Sequence, residues 1–387
     1  MALVPAVKNS WNAWIEVDAS AIRRNTSAVC DFVGANVRVM AILKADGYGH
    51  GAVAAARAAI AGGASWLGVA NVQEGAELRA AGLTAPILIL SCGLPHQAAE
   101  VVEQDLAQTL TSEEMATALS QAAVAAGREI SAHIKVDTGM GRLGVWPHEV
   151  LSFAQLVSAL PGLRIEGVYS HLATADHDDT AYALGQAQRF QEVVAELDAH
   201  GIRPPLRHLA NSAATVCFPE MRLDMVRAGL LIYGLNPLCR ELTEMRLAAA
   251  LTWKSRIVCV KRVPTGHPLS YNGLYVTERP TRVATVPVGY ADGFPRALSN
   301  VGRVLIGGRR CPVVGAVCMD QMLVDLGDME AKAGDEVVLI GEQMGEQITA
   351  NDLADAQRTV VHEIVARLGK RLPRIERMED PAAGEQS

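Results

Sequence analysis

AILKADGYGHGA, residues 41–52, runs three apolar residues into Lys44 and then turns through Gly47, Gly49 and Gly51 around Tyr48 and His50. A lysine at the end of so apolar a run puts an amine where a buried strand surfaces, and closely spaced glycines let the chain bend sharply beside it. Extended backwards, the stretch reads RVMAILKA (38–45), a short run suited to a strand buried on both faces. The same texture recurs at WLGVA (66–70), PILILS (86–91), AQTL (107–110), AHIKVD (132–137), IEGVYSH (165–171), LRHLAN (206–211) and MVRAGL (225–230). Most of these are separated by helical stretches rich in Ala, Glu and Gln, such as VQEGAELRAAG and AQRFQEVVAELDAHG, the second ending at a glycine as helices often do. Eight strands alternating with helices over roughly 230 residues is the count and length of a (β/α)8, TIM-like barrel.

Beyond residue 245 the texture changes. WKSRIVCVKRV, RVATVPVGY, RVLIGG, CPVVGAVCMD and DEVVLIG are strand-like and divided by Gly and Pro turns, with one helical piece, ITANDLADA, among them. The expected organisation is an α/β fold: a barrel over residues 1–245, then a mainly β C-terminal domain over residues 246–387. About the first 12 residues are candidates to pack with the β domain, and the polar tail AAGEQS is expected to fray.

Composition narrows the functional classes. A chain of 387 residues that is 50% hydrophobic can bury a large core in about two domains. Acidic and basic residues are interspersed and the net charge is −7, so there is no electrostatic reason to bind nucleic acid or an anionic membrane. The opening stretch MALVPAVKNSW lacks the charged, apolar, small-residue order of a signal peptide, and no apolar run approaches the roughly 18 residues of a membrane span. The expected location is the cytoplasm. Seven cysteines without a CxxC pair suit reduced thiols better than a disulfide or zinc framework, and no metal is expected.

In a barrel the chemistry sits at the C-terminal ends of the strands. Lys44 closes the first strand, Arg142 follows the fifth in HIKVDTGMGRLG, His171 ends the sixth, Asn211 and Ser212 follow the seventh, and Arg227 with Gly229 belongs to the eighth. Each alone has an ordinary explanation: a lysine can snorkel, a histidine can be a satisfied core residue, and Asn-Ser is a common helix start. Converging on one rim, they suggest a ligand. Barrels commonly bind phosphate at the loops after strands seven and eight, and ANSAAT and RAGLLIYG supply small residues and a glycine there. A phosphate-bearing cofactor whose aldehyde forms a Schiff base with Lys44 is pyridoxal 5′-phosphate.

The motifs AILKADGYGHG, HIKVDTGMGRLG, YSHLATAD, HLANSAAT, MVRAGLLIYG, LSYN, VPVGYADGFPR, VGAVCMDQ and RLPR occur in one order over nearly the whole chain, and in this the sequence resembles the alanine racemases. The resemblance implies that Lys44 bears the cofactor and that Tyr48 and Ser212, with backbone groups near Gly229 and Leu230, hold its phosphate. It implies that Arg227 hydrogen-bonds the pyridine nitrogen with His208 in support, that Arg142 binds the substrate carboxylate, and that Lys135 is a carbamylated lysine positioning Arg142. Tyr271, and the pair Met319 and Asp320, would come from the β domain of a second subunit, making a homodimer with shared sites.

Racemisation removes a proton from one face of an α-carbon and returns one to the other, so two acid–base groups must flank it. By the resemblance, Lys44 serves the D-isomer and Tyr271 the L-isomer. Tyrosine titrates near pH 10, and a cationic neighbourhood of His171 and Arg227 would bring it into range. An arginine keeps its proton, so the pyridine nitrogen facing Arg227 stays unprotonated and the ring is a weaker electron sink. Four positions depart from the family pattern: Asp46 in ADGYGHG, Asn272 after Tyr271, Ala316 where an arginine is common, and His362 in VVHEI where a tyrosine close to the phosphate is usual. A barrel decarboxylase would place a carboxylate by the pyridine nitrogen, and a cofactor carrier would need no second domain. The expectation is an alanine racemase supplying D-alanine for peptidoglycan, with a serine or broader amino-acid racemase as the alternative.

Overall fold

The computed structural model describes residues 10–238 and 240–377, so the first nine residues and the AAGEQS tail lie outside the described residues. The chain divides into a barrel unit, Ala21–Gly47 with Ala55–Ala248, and a β unit of residues 10–20, Tyr48–Ala54 and 249–377.

The barrel strands are β1 (Arg38–Ile42), β2 (Trp66–Val69), β3 (Ile87–Cys92), β4 (Ala107–Leu110), β5 (Ile130–Lys135), β6 (Leu163–Tyr169), β7 (Leu206–His208) and β8 (Met225–Ala228). Every ladder is parallel, and β1 lies between β2 and β8. Between β7 and β8 the nearly closed barrel is bridged by Asp224 N–H donating to Arg207 O at 3.1 Å and Arg227 N–H donating to Ala210 O at 3.0 Å. Strands buried on both faces read as unbroken apolar runs because alternate residues face either the surrounding helices or the barrel interior. Val39, Ala41, Leu67, Leu88, Ile134 and Val168 are all buried, and each Val, Leu or Ile among them contributes about 1.5–3 kcal/mol on full burial.

The interior holds two kinds of cluster. Met40, Ile42 and Leu90 crowd around Gly68. Thr109, His133, Lys135, Tyr169, His208 and Arg227 are all buried and polar or charged. Buried polar groups need partners, and all of these but Lys135 are joined by hydrogen bonds. The connecting helices start on side-chain caps: Asn71 accepts from Glu74 N at 2.9 Å for helix Val72–Ala80, and Ser112 accepts from Met115 N at 3.4 Å for helix Glu113–Ala125. The long helix Ala181–Ala199 is followed by Gly201 at φ +79°.

The β unit is built on a twisted, mainly antiparallel sheet. Its path runs Cys259–Val263, Thr281–Val286, Met322–Gly327, Arg309–Val314, Arg303–Ile306, Glu336–Gln343, Leu251–Arg256, Ala13–Val17, Arg374–Glu376. The N-terminal strand Ala13–Val17 is antiparallel to Leu251–Arg256 and parallel to Arg374–Glu376. Buried Arg374, the last residue of RLPR, donates through Nε to Gly49 O at 3.1 Å and through its other nitrogens to the carbonyls of Leu368, Gly369 and Leu372, tying the Gly49 loop to the C-terminal strand. Among the described residues no helix is long and apolar enough to cross a membrane.

Candidate active site

Strand β1 ends at Ile42, two residues before Lys44, and not at the lysine as the sequence suggests. Leu43 N–H still donates to Gly68 O at 2.8 Å. From there the chain winds left-handed: Ala45 (φ 54°, ψ 51°), Asp46 (54°, 48°) and Gly47 (60°, 44°), with Tyr48 at φ 53°. Left-handed turns cost L-residues roughly 1–2 kcal/mol each, so something must hold this one. Gly47 N–H donates to Leu43 O at 2.7 Å, and Glu74, on the next helix, accepts from Ala45 N–H at 2.8 Å and from Ala70 N–H at 2.7 Å. The turn presents the Lys44 side chain at the rim. The protein packed around that amine lowers its pKa, Arg142 and Arg227 lower it further, and Glu74 opposes them.

Arg227 lies across the barrel mouth, 4% exposed. Its Nη1 donates to His208 Nδ1 at 3.1 Å and His208 O at 3.0 Å; its Nη2 donates to Ser170 O at 2.8 Å, His171 Nδ1 at 3.1 Å and Leu209 O at 3.0 Å. Among the described residues no carboxylate pairs with it and its Nε–H makes no hydrogen bond, so one donor is left for a ligand. Burial lowers the Arg227 pKa only to about 10, which leaves it charged at neutral pH. A guanidinium cannot accept, so Nδ1 of both imidazoles must carry the lone pair. Burial first, then Arg227, Lys135, Arg142 and Lys44, hold the His171 pKa well below the ordinary value. The expected cationic pair of His171 and Arg227 is therefore corrected: Arg227 alone carries charge, and His171 is a neutral imidazole with its proton on Nε2.

Lys135 is 4% exposed and forms no hydrogen bond or ion pair among the described residues. Its ammonium lies 5.3 Å from the Tyr169 ring centroid. Burial, Arg227 and Arg142 bring its pKa down to about 8, against the opposing influence of Cys92 and Asp137. Asp137 is occupied elsewhere: its Oδ1 accepts from Gly139 N–H at 2.9 Å and Gly141 N–H at 3.0 Å, shaping the loop that carries Arg142. Arg142 is exposed, with no side-chain hydrogen bond among the described residues. Asn211 caps the helix Ser212–Cys217 by accepting from Ala214 N–H, and Ser212 Oγ accepts from Gly229 N–H at 2.9 Å and Leu231 N–H at 3.5 Å, which leaves its hydroxyl proton to donate beside the backbone of Gly229–Leu231. The barrel unit thus gathers Lys44, Lys135, Arg142, His171, His208, Asn211, Ser212, Arg227, Gly229 and Leu230 from the ends of its strands.

The other expected site residues belong to the β unit. Buried Tyr48 and exposed His362 approach with ring centroids 5.7 Å apart. Tyr271 is 69% exposed in a short turn, Tyr271–Gly273, that follows Ser270. Met319 is exposed, while Asp320 accepts from Arg371 Nη1 at 2.8 Å, Arg371 being held also by Asp292 at 2.6 Å.

The family model for the alanine racemase N-terminal domain matches residues 17–237, and that for the C-terminal domain matches residues 250–376. The chain belongs to the alanine racemase family. It is a racemase, and among its relatives is an alanine racemase of Symbiobacterium thermophilum, 48% identical over 93% of this chain and 96% of the relative. The crystal structure of alanine racemase from D-cycloserine-producing Streptomyces lavendulae superposes with a TM-score of 0.90 at 37% identity, covering 97% of this chain and all of that one. A histidine racemase from Leuconostoc mesenteroides has the same fold, with a TM-score of 0.86 at 28% identity over 95% of this chain and 99% of its own.

Two departures from the alanine racemase pattern have a local explanation. Asp46 and Asn272 both stand in the left-handed region, at φ 54° and φ 60°, where Asp and Asn are the non-glycine residues best tolerated. Ala316 is buried, its carbonyl accepting from Ser270 Oγ at 2.8 Å. Sequence reading missed Glu74, His133 and Tyr169. His133 had a findable signal, since it lies two residues before Lys135 and so on the same face of β5.

Proposed function

We propose that the chain interconverts L- and D-alanine with pyridoxal 5′-phosphate as cofactor. The observation that carries this reading is Arg227, a buried, charged guanidinium with no carboxylate partner and one donor left over. The residues fit the cofactor in kind. Lys44 offers an amine with a lowered pKa to an aldehyde, Arg227 Nε–H suits an aromatic nitrogen that accepts, and Ser212, with the backbone of Gly229 and Leu230, suits phosphate; Tyr48 and His362 are further candidates for it. When bound, the cofactor supplies an electron-withdrawing ring that acidifies the substrate's α-C–H.

The protein's part is positioning and proton transfer. Arg142 binds the substrate carboxylate, and the buried, uncompensated Lys135 is suited to carbamylation: as a carbamate it would give Arg142 and Arg227 an anionic neighbour. Lys44 Nζ moves the α-proton on one face. Tyr271, from the second copy in a homodimer, moves it on the other, with Met319 and Asp320 of that copy beside it. His171 donates a hydrogen bond from Nε2–H to the tyrosine oxygen, keeping its proton, and this stabilises the phenolate while Arg227 holds the imidazole in that tautomer. The cell context in this reading is cytoplasmic supply of D-alanine for peptidoglycan.

Borohydride reduction of the purified holoenzyme, followed by peptide mapping, should place the pyridoxyl adduct on Lys44, and the enzyme should racemise alanine. An adduct on Lys135 or Lys254 would overturn the assignment. A broader specificity is favoured by one observation, the shorter His362 where the family commonly has tyrosine. On that reading serine is turned over at a measurable fraction of the alanine rate. His362→Tyr then lowers the serine-to-alanine ratio of kcat/KM by roughly tenfold, the scale of one small group in a pocket. An unchanged ratio with cofactor retained would return the enzyme to alanine alone.

A further inference from the structure

Arg227 is the first of three residues in a row that runs down the polar cluster of the barrel interior. His208 Nε2 lies 2.9 Å from His133 Nδ1, and both rings are fully buried. The Tyr169 ring stacks on His208 at 4.5 Å with an interplanar angle of 6°, its hydroxyl engaged with Thr109 Oγ1 at 2.8 Å and Leu90 O at 3.1 Å. Trp66 meets the His133 ring edge-on at 5.2 Å. Room for His133 is made on β6, where a Cβ added to Gly167 would come within 2.2 Å of His133 Nδ1.

The hydrogen-bond order along the row has one solution. Arg227 donates, so His208 Nδ1 accepts and the proton of a neutral His208 is on Nε2. That proton points at His133, so His133 Nδ1 accepts and its own proton is on Nε2, a buried nitrogen with no hydrogen-bond partner among the described residues. Protonating either ring would set one N–H against another. Burial opposes it too, and so do the charges nearby: Arg164 and Arg227 at His133, Arg227 and Lys135 at His208.

We propose that His133 is a positioning residue for the racemase reaction: by accepting from His208 Nε2–H it keeps His208 Nδ1 an acceptor for Arg227, and so fixes the guanidinium whose Nη2 orients His171. The row is one-way. It cannot pass a proton towards Arg227, so the group that Arg227 faces receives none from the barrel interior. The consequence for catalysis rests on the reading of Arg227 given above, whereas the tautomer order rests on geometry alone, and the test separates the two.

Nitrogen-15 spectra of histidine-labelled apoprotein should show His133 and His208 neutral, each with its proton on Nε2, from about pH 5 to about pH 9. A proton on Nδ1 of either ring, or titration within that range, would overturn the inference whatever the enzyme's activity. In the holoenzyme, His133→Leu removes the acceptor and should lower kcat roughly tenfold, the scale of one lost hydrogen bond, with the alanine KM nearly unchanged and the visible band of the bound cofactor shifted. His133→Asn, whose carbonyl can accept, should recover most of kcat. His133→Asp should be the worst of the three, because a carboxylate would draw a second proton onto His208 and turn Nδ1 towards Arg227 as a donor. Gly167→Ala, which displaces the ring without touching its chemistry, should behave like His133→Leu. Equal loss in the Leu, Asn and Asp variants, tracking their melting temperatures, would mean that His133 is merely packed. A wild-type kcat in His133→Leu would equally sink the proposal. A wild-type protein with the expected tautomers but no alanine turnover would instead refute the functional reading.

Discussion

Lys135 shows how an interior position turns an ordinary residue into an unusual one. In HIKVD it could have paired with Asp137, but that carboxylate is used by the backbone of Gly139 and Gly141 and the amine is left among cations. Its folded pKa of about 8 lies below the unfolded value, so the unfolded chain binds more protons between about pH 8 and 10.5. Burying the ammonium therefore destabilises the fold below about pH 8, by about 3 kcal/mol, and this penalty fades as the pH rises towards 10.5. In carbon dioxide-free buffer, urea denaturation should find Lys135→Met more stable than wild type at pH 7, with the gap closing by about pH 10.5. Added bicarbonate should stabilise wild type and not the variant. A gap that is constant with pH would show that Lys135 is not an unpaired amine.

At the scale of elements, strained turns carry the two side chains proposed to move the proton. The turn after β1 winds through left-handed residues to place Lys44, and Ser270 precedes Tyr271 at φ 63°, ψ −173°, a region populated almost only by glycine. Such a residue costs of order 1–3 kcal/mol, and Ser270 is held there by its hydroxyl bond to Ala316 O. Ser270→Ala keeps the strain and loses the bond, so it should lower stability by about 1 kcal/mol, whereas Ser270→Gly removes both and should be the more stable of the two. Denaturation midpoints decide it: a Gly variant less stable than the Ala variant would refute strain at this position. The same turn should hold Tyr271 less firmly in Ser270→Gly, so kcat should fall while stability does not.

For the whole molecule, the proposed sharing of sites gives a prediction that no single residue could. Lys44→Ala and Tyr271→Ala chains should each be inactive. Mixed, half of the dimers formed at random contain one of each, and one of their two sites is then intact, so about a quarter of wild-type activity per chain should return. Mixed dimers without activity would place both residues of a site on one chain. The exposed Tyr271 and Met319 on the β unit suit a role outside their own chain.

The sequence by itself determined the barrel, the β-rich second part and the C-terminal rim of the barrel strands as the place of Lys44, Arg142, His171, Asn211, Ser212 and Arg227. These depend on periodicity, turn residues and motif order, which are local properties of the chain. Only the tertiary structure decided that β1 stops short of Lys44, that the following turn is left-handed and pinned by Glu74, that Asp320 is bound to Arg371, and that His171 is neutral. It alone revealed His133, because the row from Arg227 through His208 joins the neighbouring strands β8 and β7 to β5, where His133 lies 75 residues before His208. Protonation and tautomer follow from burial and from which donor faces which acceptor, and those are fixed only when distant strands close into one interior.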